Sequence, residues 1–115
     1  MSESIFNQFL SLLLSGNINK LATRYYDDSV KVTLNEGVKT RGKSLGIQWL
    51  QHILKNTQIL QFNVEKIRRT ENSLSYEIYM ITRNQDSTLD FSKHRIQNTW
   101  KDNRICQHQH AIVNF

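Results

Sequence analysis

The sequence predicts an α+β fold, an antiparallel sheet with three helices from the first half of the chain packed on one face. Three observations lead there. Apolar residues recur at helical spacing in three segments before residue 57. From Ile59 onward the period changes to two. The later strands are joined by short polar turns, which makes them an antiparallel meander with helices on one face. At 115 residues the chain is one domain, 1–115.

The elements follow in order. Residues 3–14 set Ile5, Phe6, Phe9, Leu10, Leu12 and Leu13 at helical spacing, with Asn7, Gln8 and Ser11 opposite. Gly16 stops that helix and Asn17 caps the next, which carries Ile18, Leu21, Ala22 and Tyr25 on one stripe. Val30, Val32 and Leu34 alternate as a first strand. Asn35-Glu36-Gly37 then turns the chain into a short strand from Val38 to Thr40. Gly42 opens a third helix, roughly Ser44 to Asn56, with Leu45, Trp49, Leu50, Ile53 and Leu54. Strands are expected near 59–70, 74–84, 88–100 and 104–114.

Composition narrows the function classes. Apolar residues make up 38% and charged residues 22%, the balance of a folded globular domain. The longest apolar cluster, Phe9 to Leu14, is far too short to cross a bilayer, and the N-terminus does not read as a secretory signal. One cysteine excludes an internal disulfide framework. Together these point to the cytoplasm and away from membranes. The net charge is +5, but the basic residues are scattered, and the densest group is only Lys66-Ile67-Arg68-Arg69. That pattern fits a solvated surface better than a nucleic-acid interface.

Four local marks occur in one order along the chain. They are the Ser15-Gly16-Asn17 break, the Tyr26-Asp27-Asp28 junction, Gly42 before the third helix, and Trp100 with a polar turn leading to Ile105. In this order and spacing the whole chain resembles the nuclear transport factor 2-like, or SnoaL-like, superfamily. The resemblance implies an α+β cone, a curved sheet wrapped around the three helices with a pocket between, a fold that hosts many unrelated activities. Ketosteroid isomerase, on the same fold, uses a carboxylate base, a tyrosine and a protonated aspartate. Those positions fall here on Thr33, Phe9 and Ile96, so all three groups are missing. The aspartates of SnoaL-type cyclases and limonene epoxide hydrolases have no clear partner on strand 104–114.

The last two strands carry the chemistry. Asp90, Ser92, His94, Ile96, Asn98 and Trp100 share one face, and Cys106, His108, His110 and Ile112 share another. The resemblance implies that the second set faces the pocket. A three-residue turn with left-handed Asn103 pairs His94 with His110 and Ile96 with His108. A two-residue turn pairs His94 with Ala111 and points His108 away. The family pattern favours the first. His94, His108 and His110 then line one wall and are candidate acid–base groups, since imidazole gives and takes protons near neutral pH. They also suit a merely polar wall, or an outer face in water or a dimer contact, and histidines facing a pocket are common without catalysis.

Other readings are bland or weak. His108-x-His110 is a poor metal signal without further ligands, so no metal and no cofactor is expected. Cys106 reads as a small wall residue rather than a nucleophile. Phe9, Tyr26, Trp49, Tyr79, Ile96, Asn98 and Cys106 are the candidate ligand-binding residues, with Asn98 orienting the ligand. Strand 74–84 is apolar on both sides, and the family commonly dimerises through its outer sheet face, so a homodimer is implied, with Ile78 as a possible contact. The expected function is binding of a small, partly apolar organic molecule, with isomerase, cyclase or hydrolase chemistry. The rival is a non-catalytic binding or association module.

Overall fold

A computed structural model describes residues 2–15, 18–35, 38–41 and 58–114. Two helices, α1 (Glu3–Leu14) and α2 (Ile18–Tyr25), are followed by β1 (Tyr26–Leu34), β2 (Val38–Arg41), β3 (Gln58–Arg69), β4 (Ser73–Arg83), β5 (Leu89–Lys101) and β6 (Arg104–Asn114). The expected helix over 44–56, with Gly42 before it and Trp49 on it, lies outside the described residues. So does the Gly16-Asn17 break.

Helix α1 starts where Ser2 caps it: the Ser2 hydroxyl accepts from the Ile5 N–H at 3.2 Å, and Glu3 sits in the first turn. It ends where the Ser15 hydroxyl donates to the Leu12 carbonyl. Phe9 and Leu13, one turn apart, are its buried residues. Helix α2 buries Leu21, Ala22 and Tyr25 and runs straight into β1 without a loop. The first strand therefore begins at Tyr26, four residues before the alternating Val30, Val32 and Leu34. Asp27 makes this possible, because its carboxylate accepts from both the N–H and the hydroxyl of Ser29 at 2.9 Å.

The six strands form one sheet in the order β2-β1-β6-β5-β4-β3. Strands β3 to β6 make the expected antiparallel meander. The unexpected pairing is β1 with β6, which is parallel. Between Tyr26 and Lys31 the first strand takes five steps while β6 takes two, from Ile105 to Gln107. Such irregularities curve the sheet, and β3 carries two more, one with Lys66 at φ 52°.

The inner face packs on the helices. Phe9 is fully buried and meets Tyr25 edge-on at 5.6 Å and Trp100 edge-on at 5.3 Å. Tyr76, Ile78 and Met80 of β4 point into the same core, whereas Tyr79 and Ile81 face the other way. Ile78 is 1% exposed, so it belongs to the core and not to an outer contact.

The β5–β6 turn has two residues, not three. Asp102 and Asn103 both take positive φ, 53° and 63°, between the paired Lys101 and Arg104. This is the primed geometry that matches strand twist, and Asp and Asn tolerate it best after glycine. Asn103→Gly is expected to leave stability within about 0.5 kcal/mol. Asn103→Val should cost about 1–2 kcal/mol through left-handed strain. Urea midpoints at unchanged m would check both.

Candidate functional site

A two-residue turn by itself would point His94 and His108 to opposite faces. The chain corrects this within four residues. Trp100 pairs with Ile105 but Thr99 pairs with Gln107, so Cys106 is an extra residue in β6. The bulge resets the alternation. Ile105, His108 and His110 all turn inward, and the pairs become Asn98 with His108, Ile96 with His110, and His94 with Ile112. Cys106 is displaced from the face expected of it. It is half-buried, and its thiol donates to the Thr99 carbonyl at 3.4 Å. Asn35, at φ 48°, fastens this part of β6. Its N–H donates to the His110 carbonyl at 2.8 Å, and its side-chain oxygen accepts from the Ile112 N–H at 2.9 Å.

The three imidazoles stand in one hydrogen-bonded row. The Tyr26 hydroxyl lies 2.9 Å from His108 Nδ1. His108 Nε2 lies 3.2 Å from His110 Nδ1, and His110 Nε2 lies 3.0 Å from His94 Nδ1. His94 Nε2 lies 3.1 Å from the Ser92 hydroxyl. Each ring uses both nitrogens, one toward each neighbour. A neutral imidazole has one N–H and one lone pair, so the row is satisfied with every ring neutral. Geometry agrees with charge: His94, His108 and His110 are 1%, 2% and 3% exposed. Burial pushes His94 and His108 down to about 4. Burial, then the neighbouring His108 and His94, pushes His110 to about 2.

Around the row lie further buried polar groups. Tyr26 and Tyr76 stay un-ionised, because burial drives both hydroxyls well above their ordinary range. The Asn98 amide N–H donates to Tyr76 Oη over a long 3.5 Å. Among the described residues, Asn98 Oδ1 and Trp100 Nε1 are buried with no hydrogen-bond partner. Ile96 is buried beside His110, and Phe9 closes the wall through its contacts with Tyr76 and Trp100. Tyr79 is not part of this site. It lies on the opposite sheet face, where its hydroxyl donates to Glu77 at 2.7 Å and its ring carries Lys93. Among the described residues no three His, Cys, Asp or Glu side chains converge on a metal position.

Sequence reasoning had Tyr26 only as a candidate ligand-binding residue. Its bond to His108 depends on the parallel β1–β6 pairing, which no local pattern announces. Ser92 was legible in hindsight, two residues from His94 on the same strand face.

Neutral burial has a pH signature. The unfolded chain takes up protons as pH falls through 6.5, while the folded row refuses them until about 4. The stability it contributes is complete above pH 6.5. It is lost as pH falls toward 4, at up to about 1.4 kcal/mol per pH unit for each histidine. Urea midpoints should therefore fall steeply from about pH 7 to about pH 4.5, and His108→Phe should flatten the slope. A level profile in the wild type would contradict a neutral row.

No protein-family model matches the sequence, and no curated protein matches it. Solved structures do match. One is a candidate SnoaL-like polyketide cyclase from Mesorhizobium loti, 16% identical, at TM-score 0.79 over 96% of this chain and 98% of that one. Another is an NTF2-like protein of unknown function from Cytophaga hutchinsonii, 12% identical, at TM-score 0.73 over 96% and 98%. A candidate isomerase from Rhodopseudomonas palustris is 14% identical, at TM-score 0.69 over 97% and 91%. Identities this low speak to the fold alone, and the fold of this chain is the NTF2-like, or SnoaL-like, α+β cone.

Proposed function

We propose that the chain binds a small, partly apolar organic molecule inside the cone and moves protons on it through the histidine row. The observation that carries this reading is the continuous bonding from Tyr26 through His108, His110 and His94 to Ser92. The row can run in two directions. In one, Tyr26 donates to His108 and each ring donates through Nε2–H to the next, ending on Ser92. A proton delivered to the Tyr26 hydroxyl and another released from Ser92 convert this to the reverse arrangement. Every ring then carries its hydrogen on Nδ1, and none is charged before or after. Depressed basicity is no obstacle to such a transfer, because each ring acts as acid and base at once.

The surroundings fit a ligand that is mostly apolar with one or two polar points. Phe9, Ile96 and Trp100 offer apolar surface, while Asn98 Oδ1 is an acceptor and Trp100 Nε1 a donor. Isomerisation, cyclisation and hydrolysis all need proton transfer to or from such a molecule. The ketosteroid isomerase groups are absent at Phe9, Thr33 and Ile96, so the row takes their place in this reading.

The rival reading, a non-catalytic binding or association module, rests on a specific observation too. The rings are at most 3% exposed and bonded to protein groups, as a structural network would be. A second copy of the chain is the proposed partner in either case. Leu89, Phe91 and Val113 are 47%, 44% and 45% exposed where β5 begins, at the end of the outer face away from Ser75 and Gln97, and a second copy would cover that end.

Deuterium incorporation from D2O into cyclic ketones and lactones, read by mass spectrometry, separates the two readings. Catalysis predicts incorporation by the wild type and a loss of about 100-fold or more in His110→Phe with the fold retained. Ligand binding without incorporation, equal in both proteins, would establish the binding module.

A further inference from the structure

The outer face of the sheet holds a feature the interior site does not use. A trough of about 700 Å³ opens there, lined in part by Lys66, Arg68, Glu77, Arg95, Gln97 and Gln109. Strand pairing brings these residues together. Glu77 pairs with Arg95, Gln97 with Gln109, and Arg68 with Ser75, so their side chains share one face. The register shift between Glu65 and Arg68, with Lys66 at positive φ, turns the end of β3 toward them.

The charges are organised around one carboxylate. Glu77 accepts from the Tyr79 hydroxyl at 2.7 Å. It stands 3.5 Å from Lys66 Nζ, 3.6 Å from Lys93 Nζ and 3.5 Å from Arg95 Nε. One negative charge thus anchors three positive ones. Arg68 adds another, and among the described residues no carboxylate lies within ion-pair distance of it. The lining carries Lys66, Arg68 and Arg95 against Glu77 alone, an excess of two positive charges. Neutral donors stand between them in Ser75, Gln97 and Gln109. A concave surface of one sign concentrates ions of the other, and guanidinium forks match carboxylate and phosphate oxygens. The volume is in the range of small-molecule sites.

We propose that this trough is a second binding site, for a small organic dianion of the phosphate monoester or dicarboxylate class. Arg68 and Arg95 clamp its charged groups, and the amides of Gln97 and Gln109 bond the neutral part between. Glu77 is a positioning residue that holds Lys66 and Arg95 at the rim and repels a ligand seated too deeply. Tyr76, Ile96 and His110 also border the trough, but they are buried residues of the inner face, and the charged and amide side chains that would hold the ligand stand on the opposite face from the histidine row.

Titration with inorganic phosphate and with succinate, at ionic strength held constant with chloride, tests it. Amide chemical shifts report the location. The expected result is saturable one-to-one binding, with shifts centred on Ser75, Glu77, Gln97 and Gln109. Arg68→Ala should weaken it at least tenfold, and Arg68→Lys should recover part of the loss, with both spectra otherwise native. Tighter binding of phosphate assigns the monoester class, and tighter binding of succinate the dicarboxylate class. A linear response that chloride reproduces, or saturable binding indifferent to Arg68→Ala, would overturn the proposal. Failure here would leave the deuterium experiment on the interior unaffected, and the reverse is equally true.

Discussion

One extra residue in β6 governs the interior. Without the bulge at Cys106, the turn at Asp102-Asn103 would send His108 and His110 to the face that carries Arg95 and Gln97. Ile105 would then bury and the two histidines would not, or the reverse. With it, the apolar Ile105 packs beside Trp100 and the imidazoles still reach His94. Because side chains alternate with period two, a single inserted residue is the smallest device that can do this. Asn35 reinforces the choice by bonding the backbone on both sides of Ala111, directly after the inward-facing His110.

A buried polar row inside an apolar core is stable only if its members satisfy one another. Here three rings and two hydroxyls do so in sequence, with the aromatic cluster of Phe9, Tyr25 and Trp100 beside them. Removing one ring would leave its two neighbours short of a partner, a cost of about 1–3 kcal/mol for each group stranded. The row therefore ties the packing of β1, β5 and β6 together. The outer face is built on other terms. Its charged groups gather around Glu77, where the Lys66 and Arg95 side chains are 60% and 64% exposed and water screens them.

Much of the fold was legible because it is local. The helical stripes of α1 and α2 and the change of period near Ile59 each sit within one segment, and each was placed within a few residues. The presence of three histidines near one another was also legible, from alternation on β5 and β6 together with the family resemblance that chose between the two turns. Their actual pairing was not. It depends on a two-residue turn plus a bulge, whose effects on direction cancel, so a wrong turn led to a correct face. Tyr79 was misplaced because strand 74–84 is apolar on both sides and alternation alone does not say which is inner. The Tyr26–His108 bond was invisible because its residues lie 82 positions apart and meet only through the parallel strand pair.

That parallel pair also sets an order of assembly. In the sheet, β6 sits between β1 and β5, although it is the last of the described strands to be synthesised. Until it arrives, the nascent chain holds two separate pieces, the β1–β2 hairpin and the β3–β5 meander, each with an unpaired edge. No strand pairing joins the two pieces until β6 is made, and the Phe9–Tyr76 contact between α1 and β4 is what links them without it. The closing step is thus a long-range one, slow by topology, and it waits for the last of the described strands. The same strand brings two of the three histidines, so the buried histidine row and the continuity of the sheet come into being together.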